Sequence, residues 1–298
     1  MTLVSVGVPV YNASRYLAEA LNSLLAQTYP ELEILVCDNA STDGTWEICQ
    51  EYAADPRVRL LRNPRNRGAA YNYNRVAVQA RGELFKWAAY DDLCAPELVA
   101  ACVAELERAP GVVLAYPQTL LIDEAGADQG RFHDRLHLRQ RKPAARVRAL
   151  AGQFNLCNPV FGVVRRDVLL RTGLIRAYPS SDVTLLAELA AYGEFGEVAA
   201  PLFKRRIHPE STRQAGPRRV RDVAAWFDPA RRAAPLAPRL ALALRTAAAL
   251  STTALPLPDR LGCAAGFLTR YGIRRGRAVA GRARRALIRR PATSGSTR

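Results

Sequence analysis

The chain has 298 residues, 49% of them apolar and 23% charged, enough for one large or two small folded domains with a sizeable core, which excludes intrinsic disorder as the whole answer. Its 43 Lys/Arg against 27 Asp/Glu give a formal +16, but the excess sits at one end: residues 1–203 carry 21 basic and 23 acidic side chains, residues 204–298 carry 22 and 4. A folded nucleic-acid-binding surface would be basic where the fold is, so no nucleic-acid partner is expected, and the charge describes a near-neutral body with a basic appendage.

Residues 3–8 are β-rich and end at Pro9; neither a basic stretch nor a long apolar run precedes them, so no signal peptide is expected. Residues 13–27 repeat apolar side chains at helical spacing (Tyr16, Leu17, Ala20, Leu21, Leu24, Leu25). A second strand follows at 32–37, a helix that Asp43 could cap at 45–54, a third strand at 58–61, and a helix at 69–80 opened by the turn Asn66-Arg67-Gly68. A fourth strand at 84–89 stops at Tyr90-Asp91-Asp92, and Pro96 begins the helix 97–108. This alternation predicts an α/β fold with a Rossmann-like, mostly parallel sheet flanked by helices, whose ligands bind beyond the carboxyl ends of the strands. Residues 112–122 hold one or two strands broken at Pro117, and 130–148, charged and poorly periodic, read as a mobile surface excursion. Strands at 160–164 and 197–204 flank a helix at 183–192. From about Arg213 the composition turns to Arg, Ala, Leu and Pro, with helical spacing over 236–250 and 261–290.

No run reaches the ~18 apolar residues that would span a bilayer. The six cysteines form no CxxC pair and lie mostly in apolar stretches, so they read as buried hydrophobes of a reduced, cytoplasmic compartment rather than as disulfides or zinc ligands.

Several strand ends carry one chemical theme: Pro9-Val10-Tyr11-Asn12 after the first, Asp38-Asn39-Ala40-Ser41-Thr42-Asp43-Gly44 after the second, Asp91-Asp92 after the fourth. An aromatic face and short carboxylates at adjacent loops suit a nucleotide, with stacking for the base, acceptors for hydroxyls and a hard cation, Mg²⁺ or Mn²⁺, for a diphosphate. Neither GxGxxG nor GxxxxGK[ST] is present, so a metal-bridged nucleotide is favoured over a Rossmann dinucleotide or P-loop site. Taken singly, the Asp38–Asp43 stretch could be a helix cap, Asp91-Asp92 a solvated turn and Tyr11 a packing residue.

Together, the run to Pro9-Val10-Tyr11-Asn12, Leu24-x-x-Gln27-Thr28-Tyr29, the Asp38 to Thr45 loop, Asn66-x-Gly68 and Tyr90-Asp91-Asp92 resemble family 2 glycosyltransferases of the GT-A fold, over about residues 3–212. The resemblance implies transfer of a sugar from a nucleoside diphosphate sugar with inversion at the anomeric carbon. It gives a transferase domain, 1–212, made of a nucleotide-sugar half (1–110) and an acceptor and catalytic half (111–212), followed by a basic helical extension, 213–298. By the same resemblance Tyr11 stacks on the base, with Pro9 shaping its pocket and Asn12 and Arg67 in the adjoining loops; Asp38 and Asn39 hydrogen-bond base or ribose, Asp91 reaches the ribose and Asp92 holds the metal. Two departures stand out. Asp38-Asn39 replaces the common pair of acids, leaving base preference open because an amide both donates and accepts, and Tyr90-Asp91-Asp92 replaces Asp-x-Asp while keeping its final acid.

A sugar hydroxyl needs a carboxylate to take its proton. Tyr178-Pro179-Ser180-Ser181-Asp182 resembles the family's acceptor-side acidic motif, which makes Asp182 the candidate base; the alternative is that Asp182 merely caps the helix behind it. Arg205-Arg206-Ile207-His208-Pro209-Glu210-Ser211 resembles the His-x-x-Ser element, with His208 an extra metal ligand and Arg205 or Arg206 near phosphate. His133 and His137 are spaced for a shared metal only if helical, and the crowding arginines favour a solvated face. The basic helix at 261–290 suits either an anionic membrane surface, which would make the protein peripheral at the inner face, or packing on the body. Two other functions stand beside glycosyl transfer to an unknown acceptor: a sugar nucleotidyltransferase, for which the loop after the first strand offers only Arg15, and an inactive protein that binds anionic surfaces.

Overall fold

The computed structural model describes residues 1–208, 227 and 238–288, with side chains as far as residue 275. The sheet is built outward from β1 (Val4–Val10), which runs parallel to β2 (Leu32–Asp38) on one side and to β4 (Leu84–Trp87) on the other, with β3 (Val58–Arg62) parallel beyond β2. Every residue of β1 is buried, as a strand covered on both faces must be. In β2, Ile34 and Val36 join one core cluster and Leu35 and Cys37 the other, the period of two that splits a strand between two faces. The crossovers are α1 (Leu17–Leu25), α2 (Thr45–Glu51) and α3 (Ala69–Gln79). Leu17, Leu21 and Leu24 of α1 form the buried stripe that its spacing predicts. Gly7 lets α3 approach β1: a Cβ there would lie 2.6 Å from Val76 Cγ2.

Beyond β4 the pairing turns antiparallel at β8 (Val163–Arg165), and the sheet continues through β6 (Val112–Ile122), β9 (Glu194–Arg206) and the two-residue β5 (Leu93–Cys94), with β7 (Asp128–Phe132) paired to β6. The amino-terminal half is thus the expected parallel sheet, and the whole is a mixed sheet flanked by helices, among them α4 (Leu98–Arg108).

Pro117 does not break β6. The strand pairs in parallel with β9 on both sides of it, and a register shift between Pro117 and Thr119 absorbs the missing N–H donor. Nor is 130–148 a surface excursion. After β7, Leu136 and Leu138 alternate into the core between charged neighbours, Leu138 exchanges backbone hydrogen bonds with Phe195, and α5 (Pro143–Gln153) buries Val147 and Leu150. The charges are largely solvent-facing, and the one buried guanidinium, Arg146, is satisfied by four carbonyls, including Ala190 and Ala191 at the end of α7 (Ser181–Tyr192).

The described part of the basic extension shares the core of the body. Leu250 of α8 (Pro238–Ser251) and Cys263, Phe267 and Tyr271 of α9 (Leu257–Ile288) join the cluster that holds Phe154, Val147 and Leu186. Tyr271 stacks between Phe267 and Phe154. The expected boundary at 212/213, Pro209-Glu210-Ser211 and the arginine side chains beyond 275 lie outside the described residues.

Candidate active site

The loops after β1 and β2 are sewn together. The Asn12 N–H donates to Ser41 Oγ (2.9 Å) and Asn12 Oδ1 accepts from the Thr42 N–H (3.0 Å), which accounts for the left-handed backbone at Asn12, φ 49°. Asp43 accepts from the Ser14 hydroxyl and from Thr45; burial works to raise its pKa, but these hydrogen bonds outweigh it and hold the carboxyl below its ordinary value.

Asp38 is fully buried and accepts from the Ser41 N–H and from Arg62 Nε (3.1 Å). Asn39 is a hub. Its Oδ1 accepts from Asn63 Nδ2 (2.8 Å) and from the Arg67 N–H (3.1 Å), and its Nδ2 donates to Asn66 Oδ1 (2.9 Å). Asn63 also donates to Asn72 Oδ1, whose Nδ2 donates to the Cys37 carbonyl. This asparagine network backs a cavity of about 110 Å³, lined among others by Pro9, Tyr11, Asn39, Asn66, Tyr73 and Tyr90. Tyr11 is 37% exposed at its mouth, and the Arg67 guanidinium lies 3.8 Å over the Tyr71 ring.

After β4, Asp91 and Asp92 meet the end of β9. Asp92 is buried, accepts from the Arg206 N–H (2.9 Å), and is pushed up to about 7 by burial and then by the Asp91 charge. Asp91 Oδ2 lies 2.9 Å from His208 Nε2, and the His208 ring packs on Tyr16. Both proposed metal ligands therefore sit at this corner, with His208 contacting the neighbouring acid. Among the described residues no three His, Cys, Asp or Glu side chains converge to hold a metal unaided. The donor set nevertheless fits a hard cation completed by phosphate oxygens, because adjacent carboxylates, one of them costly to ionise, are relieved by a positive charge.

The two arginines of β9 separate. Arg206 is a buried structural tie that donates to the Asp91, Asp123 and Glu124 carbonyls and pairs with Glu19 (2.6 Å). Arg205 faces a second cavity of about 380 Å³, where it donates to the Leu156 carbonyl (3.0 Å) and to Asn158 Oδ1 (2.5 Å). Asp182 is the carboxylate of that cavity, whose wall includes Leu156, Phe161, Ile175 and Phe227. Asp182 does not cap α7: Ser180, at φ 64°, holds the cap position, and Asp182 accepts from the Val183 N–H (2.9 Å). Burial raises its carboxyl, against the Val183 N–H and the Arg205 charge.

Tyr73 lines both cavities. It was missed in the sequence, as were Asn63 and Asn72. Asn63 follows a strand end, the one available signal; the others depend on the angle at which elements cross. His133 and His137 are not on a helix, and His137 Nδ1 accepts from the Glu197 N–H.

The fold matches solved glycosyltransferases of the GT-A type. TarS of Staphylococcus aureus, solved with UDP-GlcNAc, superposes at a TM-score of 0.62 with 19% identity, covering 90% of this chain and 72% of that one. The mannosyltransferase PcManGT of Pyrobaculum calidifontis, with GDP-Man and Mn²⁺, gives 0.54 and 19% over 94% and 75%. In sequence, a chondroitin synthase of Escherichia coli is 27% identical over 213 residues, 70% of this chain and 30% of that protein. The glycosyltransferase GlyG of Streptococcus pneumoniae is 35% identical over 107 residues, 36% of each chain. The chain spans under half the length of the curated relatives it matches. The model of glycosyl transferase family 2 matches residues 5–172, more than half the chain, and the chain belongs to that family.

Proposed function

We propose that this protein is an inverting glycosyltransferase that moves a sugar from a nucleoside diphosphate sugar to an acceptor hydroxyl, with Asp182 as general base. The observation that carries this reading is the shared wall at Tyr73: a small cavity beside Tyr11, lined by Asn39, Asn66 and Asn72, adjoins a larger one that holds Asp182 and Arg205. A donor in the first would present its anomeric carbon to an acceptor in the second. Tyr11 and Pro9 receive the base, with Asp38 and Asn39 fixing the floor and Asn12 and Arg67 the rim, and Asp91 faces the ribose.

In the reaction Asp182 takes the acceptor proton as the hydroxyl oxygen bonds to the anomeric carbon, and the nucleoside diphosphate leaves from the opposite side with the bonding electron pair. Arg205 adds fixed positive charge between the carboxylates. Asp92 and His208 would hold a Mg²⁺ or Mn²⁺ ion, which when bound supplies charge neutralisation for the leaving diphosphate.

The test is nucleoside diphosphate release from a panel of donor sugars with Mn²⁺, for the wild type and Asp182→Asn. Turnover that falls about a hundredfold or more in the variant, with donor binding kept, supports the base; equal turnover overturns it. A nucleotidyltransferase is disfavoured because Arg15, the one cation after β1, pairs with Glu124 (2.5 Å).

We also propose a cytoplasmic, peripheral location at an anionic membrane face. Leu240 and Leu244 on α8, and Leu257, Leu261 and Leu268 on α9, stay solvent-exposed at helical spacing on an arginine-rich segment. Among the described residues no helix is long and apolar enough to cross a membrane. Co-sedimentation with phosphatidylglycerol vesicles that Leu261→Glu with Leu268→Glu does not weaken would refute this contact.

A further inference from the structure

We propose that Tyr73 is a specificity-determining residue for the transferred sugar, its ring forming the wall against which the donor's hexopyranose rests; the inference rests on the donor and acceptor assignment of the two cavities above. Tyr73 lines both of them, the smaller together with Tyr11 and Asn39 and the larger together with Asp182 and Arg205. In an in-line displacement the anomeric carbon lies between the leaving diphosphate and the attacking hydroxyl, so the sugar that carries it occupies the boundary between the two spaces. Tyr73 stands at that boundary.

Its position is fixed from three sides, because three consecutive residues of α3 are each tied to a different part of the chain. Asn72 Nδ2 donates to the Cys37 carbonyl on β2 (2.8 Å). The Trp87 indole N–H, on β4, donates to the Tyr73 carbonyl (2.9 Å). Asn74 exchanges two hydrogen bonds with the backbone of Ile175, donating to its carbonyl (2.8 Å) and accepting from its N–H (3.0 Å), and Ile175 is itself a wall of the larger cavity. Trp87 is held in turn: it is buried, meets Phe85 edge to face at 4.9 Å between ring centroids, and stands 6.3 Å from the Tyr73 ring. A wall anchored in this way has little left to order when a ligand arrives, which is what shape selection requires.

The choice of residue has a chemical reason. A pyranose offers C–H groups on its faces and hydroxyls around its rim, and an aromatic ring matches the faces while excluding water. The phenol is also neutral: burial, then the Asp91 and Asp92 charges, push its pKa up, so Tyr73 brings no negative charge near the diphosphate.

Calorimetry on the full chain with Mn²⁺ tests the role, comparing the free nucleotides UDP and GDP with the donors UDP-GlcNAc, UDP-glucose, UDP-galactose and GDP-mannose. The proteins are wild type, Tyr73→Leu and Tyr73→Phe. Tyr73→Leu should weaken the best-bound donor about fivefold to tenfold while its free nucleotide stays within about twofold of wild type. Tyr73→Phe, which keeps the ring, should bind both within about twofold. The proposal is overturned if Tyr73→Leu binds the donor as wild type does, or loses donor and free nucleotide alike, or if Tyr73→Phe falls as far as Tyr73→Leu. Wild-type protein that binds neither nucleotides nor donors removes the donor reading of the smaller cavity, and this role falls with it.

Discussion

The His208 imidazole and the Asp91 carboxylate stand 2.9 Å apart, joining the end of the last strand to the acidic turn after the fourth. Replacing His208 with Ala removes one candidate ligand and the partner that orients Asp91. The Mn²⁺ concentration for half-maximal turnover should rise about tenfold or more, measured by titrating metal into chelator-stripped protein. Turnover insensitive both to this change and to EDTA would end the metal reading.

Asp92→Asn should abolish turnover and stabilise the metal-free protein. The Asp92 carboxyl stands near 7 in the folded state because of burial and then Asp91, well above its value in an unfolded chain. The folded state therefore binds this proton more tightly, and wild-type stability is lost as pH rises from about 4 through 7. The amide carries no such cost. Thermal melts in EDTA should show the variant ahead by on the order of a few kcal/mol at pH 8 and by little at pH 4. Variant and wild type parting equally at both pH values would contradict it.

Tyr11, exposed at the mouth of the smaller cavity, is expected to stack on the base of the donor. Tyr11→Ala should weaken nucleoside diphosphate binding by about 1 kcal/mol or more, roughly fivefold to tenfold in Kd by calorimetry, whereas Tyr11→Phe should bind as wild type. Equal affinities across the three proteins would move the base elsewhere.

Phe267 is fully buried against Tyr271, so Phe267→Ala should cost about 3–5 kcal/mol, read from denaturant unfolding monitored at the body's tryptophans. An unchanged midpoint would mean that α9 folds apart from the sheet.

The parallel half of the sheet was legible because each element there keeps one strict period: unbroken apolar strands, a Leu17-Leu21-Leu24 stripe, and polar groups at strand ends. Local signals misled where partners came from far along the chain. Pro117 reads as a break unless the compensating register of β9 is known, and Arg146 reads as a surface charge unless the carbonyls of Ala190 and Ala191 are set beside it. At the site, the motif residues were legible by type and order. Tyr73, Asn63 and Asn72 were not, because a face shared by two cavities, or an amide network, exists only after helices and strands have crossed.

The Thr184 and Thr246 hydroxyls meet at 2.8 Å, and Tyr178 receives the Arg245 guanidinium 4.7 Å over its ring. Thr184 lies two residues after Asp182, so the arginine-rich terminus grips the helix that carries the proposed base. The segment proposed to meet the membrane and the proposed base are then mechanically joined. A chain cut at residue 212 would lose more than the proposed membrane contact: the Thr184 hydroxyl on α7 would lose its partner and the first turn of that helix would loosen. Grafting another tail onto this body would accordingly be felt in turnover before it was felt in location.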